Sequence, residues 1–202
     1  MINLKNIHKS FKNQVVLNGC NLSAQLGDLV HISGPNGSGK STLLFIIAGL
    51  LEADEGSMHF DNPVNIGALI ENPEFADYST IKDNLSYLLK LKNQVDETYA
   101  VELCRNFNLD YYDKKVIKNF SVGMKQKVGI IQAIMEDQNL VLLDEPTRGL
   151  DDESKEVFVN LINEMTSKTK ATVIITSHDE IVGLNYTSSY RLDAGQIIEL
   201  QS

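Results

Sequence analysis

The spacing of apolar and polar residues changes several times along the chain, and each change predicts an element. Between Asp28 and Ser33 polar and apolar positions alternate and then run into Gly34, which predicts a strand ending in a glycine loop. From Ser41 to Leu51 most positions are apolar and no breaker intervenes before Gly49, so this stretch reads as a buried helix. Leu140 to Leu143 is a continuous apolar run closed by Asp144, and Thr172 to Thr176 is a second buried run. Such runs suit strands of a parallel sheet covered on both faces. Asp151 to Lys168 predicts a helix whose acidic start (Asp151, Asp152, Glu153) and basic end (Lys168) complement the helix dipole. Helical spacing also covers Thr80 to about Asn108 and Val122 to Met135. Ile2 to Ile7, Val15 to Leu26, Ser57 to Phe60 and Val64 to Ile70 read as strands of a small, partly antiparallel sheet. Arg191 to Leu192 and Gln196 to Leu200 predict a closing hairpin around Asp193-Ala194-Gly195.

Composition narrows the classes without choosing a function. A chain of 202 residues with 43% hydrophobic and 22% charged residues suits one globular domain with a sizeable core. The net charge of −9 argues against a general nucleic-acid footprint, which is basic. Cys20 and Cys104 are too few for a disulfide framework and are expected to be reduced, buried thiols. Met1 to Ser10 lacks the apolar stretch of a signal peptide, and the longest apolar or glycine run, Leu43 to Leu51, is far short of the ~20 residues of a membrane span. The expectation is a soluble chain that meets a membrane only through a partner.

Gly34-Pro35-Asn36-Gly37-Ser38-Gly39-Lys40-Ser41 fits G-x-x-x-x-G-K-S/T, the P-loop. Glycines let backbone N–H groups turn inward and approach phosphate oxygens, and the helix that follows points its N-terminus at the same anion. Asn36, Gly37, Ser38, Gly39 and Thr42 belong to this cradle. Lys40 supplies a point charge to the β- and γ-phosphates, and Ser41 a hydroxyl for Mg²⁺. Asp144 and Glu145 close a buried strand, the end of a parallel sheet where ligands bind. There Asp144 suits a Mg²⁺ ligand, and Glu145 suits the general base for an attacking water. Strands alternating with helices around this loop predict an α/β fold, a P-loop core with a small antiparallel β subdomain and a helical subdomain.

Further motifs narrow the superfamily to a family. Phe120-Ser121-Val122-Gly123-Met124-Lys125-Gln126-Lys127 resembles the L-S-G-G-Q signature of ATP-binding-cassette (ABC) ATPases. Gly149-Leu150-Asp151 is similar to their D-loop, His178 in Thr176-Ser177-His178-Asp179 to their switch histidine, and Glu71 stands at the place of their Q-loop residue. These motifs occur in the family's order and span nearly the whole chain. The resemblance implies one ABC ATPase domain over residues 1–202, with residues 1–71 and 133–202 as core plus β subdomain and residues 72–132 as helical subdomain. It implies that ATP and Mg²⁺ bind between two ATP-binding subunits stacked head to tail, as a homo- or heterodimer. Glu145 and His178 would be catalytic, and Phe11 would stack on adenine. Glu71 would join Ser41 and Asp144 at the metal, Ser121 and Gly123 would face the γ-phosphate on the partner, and Asp151 would bridge the subunits. It further implies transmembrane permease subunits docked around Glu71 to Tyr87, a peripheral location on the inner face of the cell membrane, and no nucleic-acid partner.

Three residues depart from the family pattern. Val122 replaces the first signature glycine, Met124 its glutamine, and Glu71 the Q-loop amide, so that it accepts but does not donate an N–H. Ile66 to Pro73 and Ser121 to Gln126 resemble export ATPases of bacitracin and lantibiotic resistance, which implies export of a peptide, antibiotic or lipid-like compound. Soluble assembly ATPases share the same motifs. Chromosome-maintenance relatives usually carry a long coiled coil between P-loop and signature, and no sustained heptads separate Lys40 from Ser121. Lys125 and Lys127 read as a solvated helix face.

Overall fold

The computed structural model describes residues 1–12, 14–92 and 96–200. Strands β1 (Ile2–Phe11), β2 (Gln14–Ala24) and β4 (Glu55–Phe60) form an antiparallel sheet in the order β2-β1-β4. Strands β3 (Leu29–Ser33), β5 (Ile66–Leu69), β6 (Leu140–Asp144), β7 (Thr172–Ser177), β8 (Ser188–Asp193) and β9 (Gln196–Leu200) form the main sheet, ordered β5-β6-β7-β3-β8-β9. It is parallel except for β9, which returns antiparallel on β8.

Strand periodicity sorts the side chains onto two faces. Val30 and Ile32 of β3, Leu140 and Leu142 of β6 and Ile174 of β7 pack with Leu43, Leu44 and Ile47 of helix α1 (Lys40–Ile47) and with Leu4, Ile7, Leu17 and Leu22 of the small sheet. Helix α1 therefore fills the space between the two sheets. Val141, Leu143, Val173 and Ile175 point the other way. They meet Ile130 and Ile134 of α4 (Val122–Ile134) and Phe158 and Ile162 of α5 (Asp152–Glu164). Helices α2 (Ile81–Leu91) and α3 (Thr98–Asn106) complete this second core through Leu85, Leu89, Leu103 and Cys104. Cys20 and Cys104 are both buried and free.

Several boundaries and one assignment change. The segment predicted over 64–70 does not join the antiparallel sheet: β5 pairs parallel with β6 at the edge of the main sheet. Gly67 admits α4 there, since a Cβ at this position would lie 1.8 Å from the Ala133 carbonyl oxygen. The single helical pattern over 80–108 forms two helices, and its residues 93–95 lie outside those described. Thr80 starts α2 with a capping box, accepting from the Asp83 N–H while Asp83 accepts from that of Thr80. Helix α1 ends before Gly49, and α5 gives way at Met165 to a π-helical turn reaching Thr169. Lys127 is not solvated: its side chain is 11% exposed and its ammonium lies 3.1 Å from Asp151.

The clash at Gly67 yields a direct test. Gly67→Ala is expected to lower unfolding free energy by about 1–3 kcal/mol through overpacking against α4. A lower urea midpoint with unchanged slope would register it. An unaltered midpoint would mean that α4 shifts without loss.

Candidate functional site

The order of the central strands gathers the site. Strand β7 lies between β6 and β3, so the three C-terminal ends carrying Asp144, Ser177 and Gly34 adjoin. Asp144 follows Leu140 and Leu142 on the face toward α1. It meets Ser41, whose Oγ donates to Asp144 Oδ2 at 2.5 Å. Thr176, its register partner on β7, donates to Oδ1 at 2.5 Å. Both carboxylate oxygens are thereby fixed in a 6% exposed position.

The glycine loop turns between β3 and α1. Gly34 passes so close to the end of β8 that a Cβ would lie 2.2 Å from the Leu192 carbonyl oxygen. Lys40 is buried and its Nζ donates to the carbonyls of Gly34 at 2.7 Å and Pro35 at 3.1 Å. The ammonium is thus held within the loop's own curve. Ser38 Oγ is buried with no protein partner.

Past Asp144 the chain makes a strained turn. Glu145 has φ 47°, a left-handed conformation that costs a non-glycine residue about 1–3 kcal/mol. Its N–H donates to the Thr176 carbonyl at 2.8 Å. Gln126 of α4 donates from Nε2 to the Pro146 carbonyl at 2.9 Å and more loosely to that of Glu145 at 3.4 Å. Glu145 Oε1 is buried and unpartnered, an acceptor left on the wall of the site.

A cleft of about 730 Å³ runs over these groups. Its walls include Asn36, Gly37, Gly39, Lys40, Ser41 and Thr42 of the loop, together with Phe11, Glu71, Asp144 and Glu145. His178 is exposed and reaches the loop from β7, with Nε2 3.0 Å from Asn36 Oδ1. Phe11 is 46% exposed, with the Lys9 ammonium 5.6 Å from its ring centroid.

Ser121 and Gly123 are not among the residues lining this cleft. Ser121 caps α4, its Oγ accepting from the Met124 N–H, and Gly123 packs against the Gly149 carbonyl. Asp151 caps α5, accepting from Ser154, and its carboxyl is held far below the usual range by that cap and by Lys127.

The donor set fits a small hard cation beside a phosphate. Among the described residues no cluster of three or more His, Cys, Asp or Glu side chains forms, so the set rests on the Ser41 hydroxyl and the Asp144 carboxylate. Few protein oxygens with the remaining ligands from phosphate and water is how Mg²⁺ is usually held.

Three contributors escape a motif reading. Thr176 and Gln126 are buried polar side chains on otherwise apolar faces, and a buried amide or hydroxyl requires a partner. Arg148 also lines the cleft, and no local pattern singles it out.

The family profile described as ABC transporter matches residues 17–148. The lantibiotic transport ATP-binding protein SrtF of Streptococcus pyogenes is 32% identical over 185 residues, covering 88% of this chain and 80% of its own. An uncharacterized ABC transporter ATP-binding protein, YdbJ of Bacillus subtilis, is 30% identical over 188 residues; the match covers 88% of this chain and 61% of that longer relative. Among solved structures, a dimeric post-hydrolysis state of the ATP-binding cassette MJ0796, bound to ADP and Pi, superposes with a TM-score of 0.89 at 26% identity, covering 100% of both chains.

Removing the inner support of Asp144 is the test of this geometry. Thr176→Val is expected to raise the Mg²⁺ concentration for half-maximal ATP hydrolysis about tenfold, as for one lost hydrogen bond to a charged group. Thr176→Ser should lie close to wild type in a magnesium titration.

Proposed function

This chain belongs to the ABC transporter family of ATP-binding cassettes, and we propose that it powers export of a peptide-like compound through separate membrane-spanning subunits. The observation that carries the ATPase reading is the Asp144 carboxylate held between Ser41 and Thr176, with Glu145 beside it. Among the described residues no helix is long and apolar enough to cross a membrane, so the membrane path is assigned to partner chains. The lantibiotic relative supports the substrate class, and its match spans most of both chains. The working place is the inner face of the membrane.

ATP lies in the cleft with its phosphates on the glycine loop. Lys40 exchanges its contacts with the Gly34 and Pro35 carbonyls for phosphate oxygens, and the N-terminus of α1 faces the same charge. Ser41 and Asp144 would hold Mg²⁺, which when bound would supply positive charge to offset that of the phosphates. Glu145 accepts a proton from the attacking water, and His178 helps position that water at the γ-phosphate. Phe11 offers its exposed ring to adenine, and Glu71 accepts hydrogen bonds at the cleft edge. A second ATP-binding subunit, identical or related, closes the site and presents its own Ser121 and Gly123. The dimeric cassette among the solved relatives supports this arrangement.

Two measurements test the reading. Glu145→Gln is expected to slow hydrolysis about 10²–10⁴-fold, the usual contribution of a general base, while ATP affinity stays near wild type. Turnover at the wild-type rate in purified Glu145→Gln protein would remove Glu145 as the base. The same variant, tagged and purified from native membranes with ATP present, is expected to carry a polytopic membrane protein in stoichiometric amount. Recovery with soluble chains only would replace transport by soluble assembly work.

A further inference from the structure

Beneath the loop that carries His178 lies a buried histidine with no part in the scheme above. His31 of β3 is 1% exposed and shares the α5-side face of the sheet with Val173 and Ile175. Its register partner is Ile175, so Ser177 is its diagonal neighbour on the same face. His31 Nε2 lies 2.8 Å from Ser177 Oγ, and Ser177 Oγ donates to the Asp179 carbonyl at 2.7 Å. Since the only hydroxyl proton of Ser177 goes to Asp179, the imidazole must donate from Nε2. Burial lowers the His31 pKa, which favours a neutral ring with that single proton. Nδ1 is left without a hydrogen-bond partner, 3.9 Å from Glu180 Oε1, which itself accepts from Ser189.

A second brace stands beside the first. The Tyr186 ring lies 5.1 Å from that of His31, and its hydroxyl accepts from the Ile181 N–H at 3.2 Å. The loop is therefore gripped at Ser177, Asp179 and Ile181, and the exposed His178 between these points contacts Asn36 of the glycine loop. A buried imidazole whose one donated hydrogen bond ends on this loop is a costly way to fill apolar space, unless the loop's shape matters.

We propose that His31 is a positioning residue for His178, holding Ser177 and through it the Asp179 carbonyl so that His178 is presented to the glycine loop. This rests on the reading that His178 acts in hydrolysis. The effect belongs to turnover and not to ATP binding, because His31 does not line the cleft and its side-chain hydrogen bond goes to Ser177.

Steady-state ATPase measurements on six purified forms test it: wild type, His31→Leu, His31→Gln, Ser177→Ala, the His31→Leu/Ser177→Ala double variant, and His178→Ala. His31→Leu is expected to lower kcat about tenfold, the worth of one buried hydrogen bond, with KM for ATP within about twofold of wild type. His31→Gln, whose amide nitrogen stands near the place of Nε2, is expected to recover most of the rate. Ser177→Ala should match His31→Leu, and the double variant should be no slower than either, since both remove one contact. Wild-type kcat in His31→Leu while His178→Ala is slow would overturn the inference alone. So would additive losses in the double variant, or a fall in kcat that His31→Gln does not relieve. Wild-type turnover in His178→Ala would overturn the reading of His178 itself, and the inference with it.

Discussion

The two hydrogen bonds on Asp144 tie together the parts of the molecule that the rest of the site is arranged around. One comes from Ser41 at the first turn of α1 and the other from Thr176 at the end of β7. They exist only because β7 separates β6 from β3 and because Asp144 and Thr176 share register and face. A single-residue slip of β7 would turn Thr176 into the α5 side and Ser177 toward α1. A carboxylate 6% exposed with one support removed would keep its desolvation penalty and lose its compensation. The parallel sheet is thus a register device as much as a core.

The same strand sends alternate information to the two faces. Thr176 fixes the carboxylate toward α1, whereas Ser177 points to His31 on the other side. Between them the chain places Glu145, whose left-handed backbone is held by Thr176 from one side and by Gln126 from the other. Gln126 belongs to α4, which also meets Gly149 through Gly123 and Asp151 through Lys127. The helical layer and the strained turn are therefore mechanically continuous. A displacement of α4 would reach the Glu145 backbone through one amide, a short physical route between the surface expected to face a permease and the site of hydrolysis.

Much of this was legible in the sequence, for reasons that also set its limit. The strands β6 and β7 announce themselves because a strand covered on both faces is mostly apolar, and β3 because it runs straight into the glycine loop. The edge strand β5 pairs with β6 and not with the small sheet, a choice the sequence does not reveal because period and apolarity say that a segment is extended, not which neighbour it bonds. Lys127 reads as solvated from spacing alone, since its Asp151 partner comes from another element. His31, Thr176 and Gln126 stay silent for a related reason: the meaning of each resides in a partner distant along the chain.

The departures at the start of α4 are milder in the structure than on paper. Ser121 accepts from the Met124 N–H, so the cap uses the backbone of position 124 and not its side chain. A methionine there leaves the capping geometry intact. With its acceptor side engaged, the Ser121 hydroxyl retains its proton for donation, which is what an incoming phosphate oxygen requires. Val122 adds an apolar side chain 75% exposed, yet its backbone N–H still belongs to the open first turn of the helix. Gly123, the position that packs directly on the Gly149 carbonyl, is unaltered. Glu71 is a different matter, because there the side chain itself changes from donor and acceptor to acceptor alone. A site built from backbone amides and a helix terminus tolerates substitution of its side chains more readily than one that rests on a single side-chain amide. Of the three departures, Glu71 is therefore the one whose side-chain chemistry differs at the cleft wall, where it offers acceptors and no donor.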